Sequence, residues 1–183
     1  MTTSQSEAKR YLIEEKYLSL DNRFTITDDL GNIHYKGNST FFAIGDKLLL
    51  TDEQGNEAIR IRQESFHIHL TYKLFSVRFG GTEHQIALIK RIGPLRQQKL
   101  EISSNDGEYI LQKQHGLSSN EFTLTKDSST VAVVTKDASP TKSFYWVDII
   151  DNKENHAFIL AIVIVLACVQ RSPTTHIAMP LMN

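Results

Sequence analysis

The sequence predicts one mainly β domain, a closed antiparallel barrel of about twelve strands around a central hydrophobic helix near the C-terminus. Two observations predict it. Short stretches of alternating apolar and polar residues recur between turn signals, and the run 157–169 is apolar throughout, with no charge and no turn residue. The chain has 183 residues, 40% of them hydrophobic, which suffices for one domain with a sizeable core. We place the barrel at 11–171, between a flexible N-terminal tail, 1–10, and an irregular C-terminal tail, 172–183.

Alternating segments indicate strands with one buried side and one solvent-facing side, as in antiparallel sheets. Their recurrence at short intervals is typical of barrels and sandwiches. The apolar members, which we expect to face the core, are Phe24 and Ile26; Ile59 and Ile61; Phe66, Ile68 and Leu70; Phe75, Val77 and Phe79; and Phe122 and Leu124.

Turn signals separate these strands. The segments 28–32 and 52–56 both run from an aspartate to Gly-Asn, and they place Gly31 and Gly55 where a positive φ is needed. Residues 105–107 and 127–129 are two further hairpin candidates. The first two hairpins look like copies of one another, which predicts a repeated strand–turn–strand unit and a meander that closes on itself.

The run 157–169 is too long for one ordinary strand, and we interpret it as a helix although its β-branched residues weigh against one. A helix that is apolar on every side is either buried or membrane-spanning. A span needs about 20 apolar residues, which favours a core helix here. From 155 to 171 the helix would be roughly 25 Å long, close to the reach of strands of about seven residues. We expect burial at every phase of the helix, at Leu160, Val163, Ile164 and Ala167 alike.

Four features, in order along the chain, carry a resemblance to a known family. They are the hairpin 24–32, the stretch 45–63 with its Gly55-Asn56 turn, the sequence Tyr145-Trp146-Val147-Asp148-Ile149, and the apolar helix. From about residue 11 to 171 the chain resembles the LURP-one-related proteins, which share the tubby C-terminal fold with tubby-like proteins and phospholipid scramblases.

The resemblance implies a barrel threaded by a hydrophobic helix, in agreement with the residue pattern. It also implies a range of functions, because plant members are linked to pathogen defence, tubby proteins bind phosphoinositides and scramblases move lipids. We transfer no binding residue from these relatives, since the basic residues of this chain do not align one by one with the tubby lipid site. The tail after Arg171 departs from the family pattern, in which the chain stops soon after the helix.

One basic stretch is a candidate lipid site. Residues 90–99 contain Lys90, Arg91, Arg96 and Lys99 and no acidic residue. Such a cluster is suited to the phosphorylated head group of an anionic lipid. The alternative is a solvated loop beside strands, without a ligand.

Two other charged groups have competing interpretations. Arg60 and Arg62 share one strand face, where they either extend the basic patch or pair with nearby carboxylates. An acidic cluster before the helix lies where scramblases have a proposed calcium segment, but it lacks the turn glycine and terminal glutamate of an EF-hand loop. We interpret it as a helix cap that faces the positive end of the helix dipole. Its members are Asp148, Asp151, Asn152, Glu154 and Asn155.

The sequence shows no catalytic constellation. It contains no nucleophile elbow, no phosphate-binding glycine loop and no zinc-protease motif. His67 and His69 share a strand face and form with His84 a weak metal candidate, which we interpret as exposed histidines. The single cysteine, Cys168, excludes an intramolecular disulfide, and its place in the apolar run indicates a small buried hydrophobe.

Together these features predict a non-enzymatic intracellular binding module without a cofactor or a metal. The formal net charge of −1 gives no global field for nucleic acid, so the expected partners are anionic phospholipid head groups or a protein. We expect a cytoplasmic monomer, with peripheral association at membranes left open. The alternative is a scramblase-like membrane protein anchored by the apolar segment.

Overall fold

The computed structural model describes residues 8–17, 23–39, 47–64, 70–77, 82–93, 98–114 and 120–171. Within these ranges the chain forms twelve strands followed by one helix. The elements are β1 (Lys9–Lys16), β2 (Phe24–Asp28), β3 (Ile33–Ser39), β4 (Lys47–Asp52), β5 (Glu57–Glu64), β6 (Thr71–Val77), β7 (Glu83–Ile92), β8 (Lys99–Ser104), β9 (Gly107–Lys113), β10 (Glu121–Lys126), β11 (Ser129–Ala138), β12 (Lys142–Ile149) and α1 (His156–Arg171).

The strands close into an antiparallel barrel because the first and the last strand pair with each other. Each strand also pairs with its neighbours in sequence, so the order around the barrel is the order along the chain. The β1–β12 register runs from Lys9 opposite Ile149 to Lys16 opposite Lys142. The predicted fold class is confirmed, and β1 begins two residues before the predicted start of the barrel at residue 11. The predicted C-terminal tail, 172–183, lies outside the described residues.

Two hairpin turns repeat the same hydrogen bonds, as the similarity of their sequences predicts. Asp28 Oδ1 accepts bonds from the backbone N–H groups two and four residues further on, at 3.0 and 2.8 Å. Asp52 Oδ1 accepts the equivalent bonds at 3.0 and 2.8 Å. Gly31 and Gly55 follow with φ of 84° and 83°, a conformation that side chains with a Cβ disfavour. The two other predicted hairpins join β8 to β9 and β10 to β11.

Alternate strand residues face the interior of the barrel and are buried there. The predicted core residues that prove to be buried are Phe24, Ile26, Ile59, Ile61, Phe122 and Leu124. Leu70 is half-buried and packs against this core. Phe66, Ile68 and Phe79 lie outside the described residues.

Strand β6 reverses the predicted faces. Phe75 and Val77 are only half-buried, whereas Tyr72 and Leu74 are buried. The pairing explains the difference, because Leu74 lies opposite the buried Ile61 and residues opposite one another share a face of the sheet. The strand has apolar residues on both sides, so its own alternation does not determine which side faces inward.

Helix α1 runs through the barrel as its hydrophobic axis. It is capped by Asn155, whose Oδ1 accepts a hydrogen bond from the Phe158 N–H at 3.1 Å. Every residue from 158 to 169 is at most 7% exposed, so the helix has no uncovered face. The residues chosen from the sequence, Leu160, Val163, Ile164 and Ala167, are each exposed by 1% or less.

The interpretation of this segment as a membrane anchor is wrong for this structure, because its apolar side chains are already covered by the barrel wall. In the described part of the chain, no helix is both long and apolar enough to cross a membrane. Cys168 is buried within the same helix, as expected for a small hydrophobe.

The barrel has two ends, which we name by the helix. The helix-start end carries the turns at 29–32, 53–56, 105–106 and 127–128, together with the segment 150–155 that leads into α1. The helix-exit end carries the last residues of the odd-numbered strands, the first residues of the even-numbered strands and the end of α1 at Arg171.

Candidate functional site

At the helix-start end, charged side chains are paired across the mouth of the barrel. Glu154 accepts hydrogen bonds from the Tyr109 hydroxyl at 2.7 Å and from Lys126 Nζ at 2.8 Å. Burial, and then the bond to Glu154, raise the pKa of Tyr109 to about 12, so this tyrosine remains a neutral donor. The same carboxylate raises the pKa of Lys126 and holds it charged. These bonds fix the segment that leads into the helix.

The predicted acidic cluster does not act as one unit. The capping interpretation is confirmed for Asn155. Asp148 instead forms a two-pronged ion pair with Arg10, at 2.6 and 2.9 Å. Asp151 Oδ1 accepts a bond from the Lys153 N–H at 3.0 Å within a local turn. Asp148, Asp151, Glu154 and Asn155 therefore each have separate partners.

The described residues contain no group of three or more His, Cys, Asp or Glu side chains arranged to hold a metal ion. Of the predicted metal candidates, His84 is exposed on β7. His67 and His69 lie outside the described residues.

Two other histidines flank a buried tyrosine at the helix-start end. The Tyr11 hydroxyl lies 2.9 Å from His156 Nδ1, and its ring packs edge-on against His34 with 5.6 Å between centroids. His34 Nε2 lies 3.0 Å from Asp28 Oδ2. Burial, and then the nearby Lys9 charge, lower the pKa of His156 and favour its neutral form. Sequence reasoning did not find this group, because its members come from three distant segments.

Arg60 and Arg62 pair with carboxylates and do not extend the basic patch. Both donate to Glu83 on β7, and Arg60 also donates to Glu57. The bond from Arg60 is the main cause that lowers the pKa of Glu83. The guanidinium of Arg62 also lies 4.8 Å from the centroid of the outward-facing Phe75 ring. The carboxylate-pairing interpretation is confirmed.

The predicted basic stretch is divided between two faces of the wall at the helix-exit end. Lys90 is exposed on the outer face, opposite Glu101, and Lys99 lies opposite Ile92. Because residues 90 and 92 share a face, Lys90 and Lys99 are diagonal neighbours on the outside of the barrel. Neither lysine forms an ion pair with a described residue.

Arg91 belongs to the opposite face. It lies opposite the buried Leu100, so it is an inward position at the rim of the barrel, and it is half-buried there. Arg96, the remaining member of the predicted site, lies outside the described residues. The structure thus brings together two of the four predicted cations, Lys90 and Lys99. It places a third, Arg91, next to Lys90 in sequence but on the inner face of the wall.

A buried ion cluster at the helix-exit end was missed from the sequence. Glu15 is fully buried, and its Oε1 accepts hydrogen bonds from Arg23 Nη2 at 3.1 Å and Arg171 Nη1 at 2.8 Å. The Arg171 guanidinium also lies 4.9 Å from the centroid of the Tyr17 ring. This cluster ties the last residue of α1 to β1 and to the start of β2. The signal in the sequence was the alternation of inward and outward residues along β1, which places Glu15, two residues after the buried Ile13, on the inward face.

A second missed group at the same end contains lysines that face inward. Lys136 Nζ donates to Gln170 Oε1 at 2.7 Å, and the Tyr145 hydroxyl donates to the same oxygen at 3.1 Å. Gln170 Nε2 in turn donates to Gln98 Oε1 at 2.9 Å. Burial is the main cause that lowers the pKa of Lys136; the charge of Glu15 opposes this effect, and the charge of Lys113 adds to it. Among the described residues, the positive charges at the helix-exit end thus outnumber its one buried carboxylate, Glu15.

Comparisons with known proteins agree with this architecture. A family model described as LURP-one-related matches residues 9–167. The fold is similar to the X-ray structure of a protein from Arabidopsis thaliana, with a TM-score of 0.60 and 20% identity over 90% of this chain and 93% of that one. A search of curated proteins finds no significant match. At this identity the structural likeness concerns the fold alone.

Proposed function

This chain belongs to the LURP-one-related family, and from that premise we propose that it is a non-enzymatic binding module for anionic phospholipid head groups. One observation carries the proposal. Lys90 and Lys99 are diagonal neighbours on the outer wall at the helix-exit end and form no ion pair with the described residues. We name this pair the outer basic patch.

Electrostatics favour a lipid surface as the ligand of the outer basic patch. The formal net charge is −1, so attraction to an anionic surface must come from a local group of cations. A lysine near such a surface contributes about 1 kcal/mol, and the attraction falls off within a Debye length. Glu101, opposite Lys90, reduces the attraction. We therefore expect weak binding that depends on salt and on several head groups at once.

The proposal assigns no reaction to the chain. The sequence lacks the motifs that position a nucleophile or a nucleotide. The buried carboxylate Glu15 is engaged by two arginines, and Glu154 by a tyrosine and a lysine. These contacts support a structural role for the most buried acidic groups. We place the protein in the cytoplasm, as a monomer that associates reversibly with membranes.

Liposome flotation tests the proposal. Vesicles that contain an anionic phosphoinositide should carry the wild-type protein upward at low salt and release it at high salt, whereas neutral vesicles should not carry it. The variant Lys90→Glu with Lys99→Glu should lose flotation while it still unfolds cooperatively, at a slightly lower melting temperature because position 90 lies opposite Glu101. Flotation of this variant at the wild-type level would remove the outer basic patch as the lipid site.

A matched control keeps the change in charge but moves it. Lys36 and Lys153 are exposed lysines, one on β3 and one in the segment before the helix. The variant Lys36→Glu with Lys153→Glu should float like the wild type. Equal loss in both double variants would show that only net charge matters and would overturn a local site. Absence of flotation for the wild type at low salt would leave a protein as the partner to seek.

A further inference from the structure

Two lysines face inward at the rim of the helix-exit end, one on each side of β10. Lys113 ends β9, where it continues the inward series of the buried Tyr109 and Leu111. Lys136 lies near the end of β11, where it continues the inward series of the buried Ala132 and Val134. The period of two thus carries both side chains from the core to the mouth of the barrel.

The groups around Lys136 are mostly donors, and the nearby carboxylate Glu15 leaves one oxygen, Oε2, without a hydrogen-bond partner among the described residues. Gln170 Oε1 already accepts bonds from Lys136 and from Tyr145, and Gln98 Oε1 accepts the bond from Gln170. Two of the three Lys136 Nζ protons and the Gln98 amide nitrogen have no acceptor among the described residues. A mouth lined by such donors is complementary to an anion.

The balance of charges at the mouth also favours the binding of an anion. Lys113 and Lys136 are near enough for the first to lower the pKa of the second, and neither forms an ion pair with a described residue. Glu15, the nearby buried carboxylate, is held by Arg23 and Arg171. Aspartate and glutamate are absent from the sequence of three segments that follow β9, β11 and α1, namely 114–120, 139–141 and 172–183. Among the described residues, the mouth therefore gathers four cations, Lys113, Lys136, Arg23 and Arg171, around one buried carboxylate, Glu15, and its net charge is positive.

The backbone at Gln98 is unusual in a way that fits a binding role. Its φ is 44°, in the left-handed region that residues with a Cβ seldom adopt. Such conformations are unfavourable and cluster at ligand sites, where the surrounding structure holds them. Here the strained residue is the one that bonds to Gln170 at the exit of the helix.

We propose that Lys113, Lys136 and the Gln98 amide form a binding site for a phosphate group at the helix-exit mouth, separate from the outer basic patch. The lysines supply charge-assisted hydrogen bonds to the phosphate oxygens, and the amide supplies a neutral donor. The phosphate belongs either to a free small molecule or to a lipid head group that reaches into the mouth. This site does not depend on the outer basic patch, since the two groups lie on opposite faces of the wall.

The test uses inorganic phosphate as the probe and thermal melting as the readout, with chloride at matched ionic strength as the reference. Phosphate should raise the melting temperature of the wild type, because a ligand that binds only the folded state stabilises it. The variant Lys113→Gln with Lys136→Gln should lose this shift, with at least tenfold weaker binding by calorimetry. The variant Lys90→Gln with Lys99→Gln should keep it. A wild type that shows no phosphate-dependent shift, or an inward double variant that keeps the full shift, would overturn the proposal.

A second measurement needs only the wild type. Amine acetylation followed by mass spectrometry should show protection of Lys113 and Lys136 by phosphate, and no protection of Lys36 and Lys153. Equal reactivity of all four lysines with and without phosphate would contradict the site even if the inward double variant failed to fold.

Vesicles that contain phosphatidylinositol 4-phosphate then distinguish the two sources of the phosphate. If the inward double variant floats like the wild type, the site takes a free phosphorylated molecule. If it loses flotation as well as the thermal shift, the site takes a lipid head group. Loss of flotation in the outer variant alone concerns only the proposed membrane function, so failure of one proposal is distinct from failure of the other.

Discussion

The two ends of the barrel differ in how their charged side chains are paired. At the helix-start end, Glu154 is satisfied by Tyr109 and Lys126, and the turns are closed by aspartates that bond to their own backbone. At the helix-exit end, the buried carboxylate of Glu15 is shared by two arginines, and Lys113 and Lys136 form no ion pair with a described residue. The charged groups named at the helix-start end therefore have partners within that end. At the helix-exit end, hydrogen-bond donors and positive charge without an ion-pair partner among the described residues are available to bind a ligand.

The largest effect should be one that the two ends share, because both are attached to the same helix. Leu160→Asp lies near the start of α1 and Ala167→Asp near its exit, and each places an unpaired charge in a fully buried site. The cost is several kcal/mol, comparable to the total stability of a domain. We expect neither variant to show a cooperative thermal transition by circular dichroism. The same should hold for Val163→Asp and Ile164→Asp.

The control for these helix variants is Gln112→Asp, which adds the same charge to an exposed position on β9 that lies opposite Thr123 and not opposite an acid. It should melt like the wild type, since surface substitutions away from special features change stability by about 0.5 kcal/mol or less. Cooperative melting of any of the four helix variants would show that α1 has a face that is not enclosed by the barrel.

The next effect should separate the two ends. Glu15→Gln removes a fully buried partner of two arginines, which should cost about 3–5 kcal/mol because it leaves buried positive charge uncompensated. Glu154→Gln at the other end removes a less buried carboxylate and should cost about 1–3 kcal/mol. Urea unfolding measures both, with the exposed Glu101→Gln as the control. Equal losses, or a larger loss for Glu154, would refute the contrast between the ends.

The smallest expected effect is a difference in the pH dependence of stability between two aspartates at the helix-start end, Asp28 and Asp52. Hydrogen bonds lower the pKa of Asp28 and of Asp52, and the Asp28 carboxylate receives an additional bond from His34. A carboxylate with a lowered folded-state pKa stabilises the protein above its unfolded pKa of about 3.9, and this stability is lost as the pH falls below that value. Urea unfolding at pH 6 and pH 3 should therefore show a smaller pH dependence in Asp28→Asn, and a less marked change in Asp52→Asn. The reverse order would mean that His34 does not support the Asp28 carboxylate.

Much of the fold could be predicted from local chemistry. The glycines of the twin turns and the unbroken apolar run of α1 are signals contained in a few consecutive residues, and both gave the right elements. The faces of β6 were assigned wrongly because Tyr72, Leu74, Phe75 and Val77 put apolar groups on both sides of the strand. Only the register against β5 determines which side faces inward, and register depends on the partner strand.

The site was less predictable, because its members come from distant parts of the chain. Lys90 and Lys99 were found as a dense basic stretch, and the hairpin that brings them together is local. Glu15, Lys113 and Lys136 each look like one polar residue among others at the end of a strand. Their inward direction follows from continuing the period of two past the apolar residues. Their proximity depends on strand pairing, through β10 for Lys113 and Lys136 and through barrel closure for Glu15. A sequence pattern indicates which face of a strand a side chain points to, but it does not give the distance between side chains on different strands.

The place of α1 in the chain has a consequence for how the protein forms in the cell. The helix that covers the inner faces of all twelve strands is made after them, and the closing pair joins Lys9 to Ile149. At a synthesis rate of about 5–20 residues per second, β1 waits roughly 7–28 s for its partner. Contacts so distant in sequence form slowly, and the strands expose apolar surface during the wait. We therefore expect folding to be a late event after synthesis, in which insertion of the helix and closure of the barrel occur together and chaperones protect the nascent strands until then.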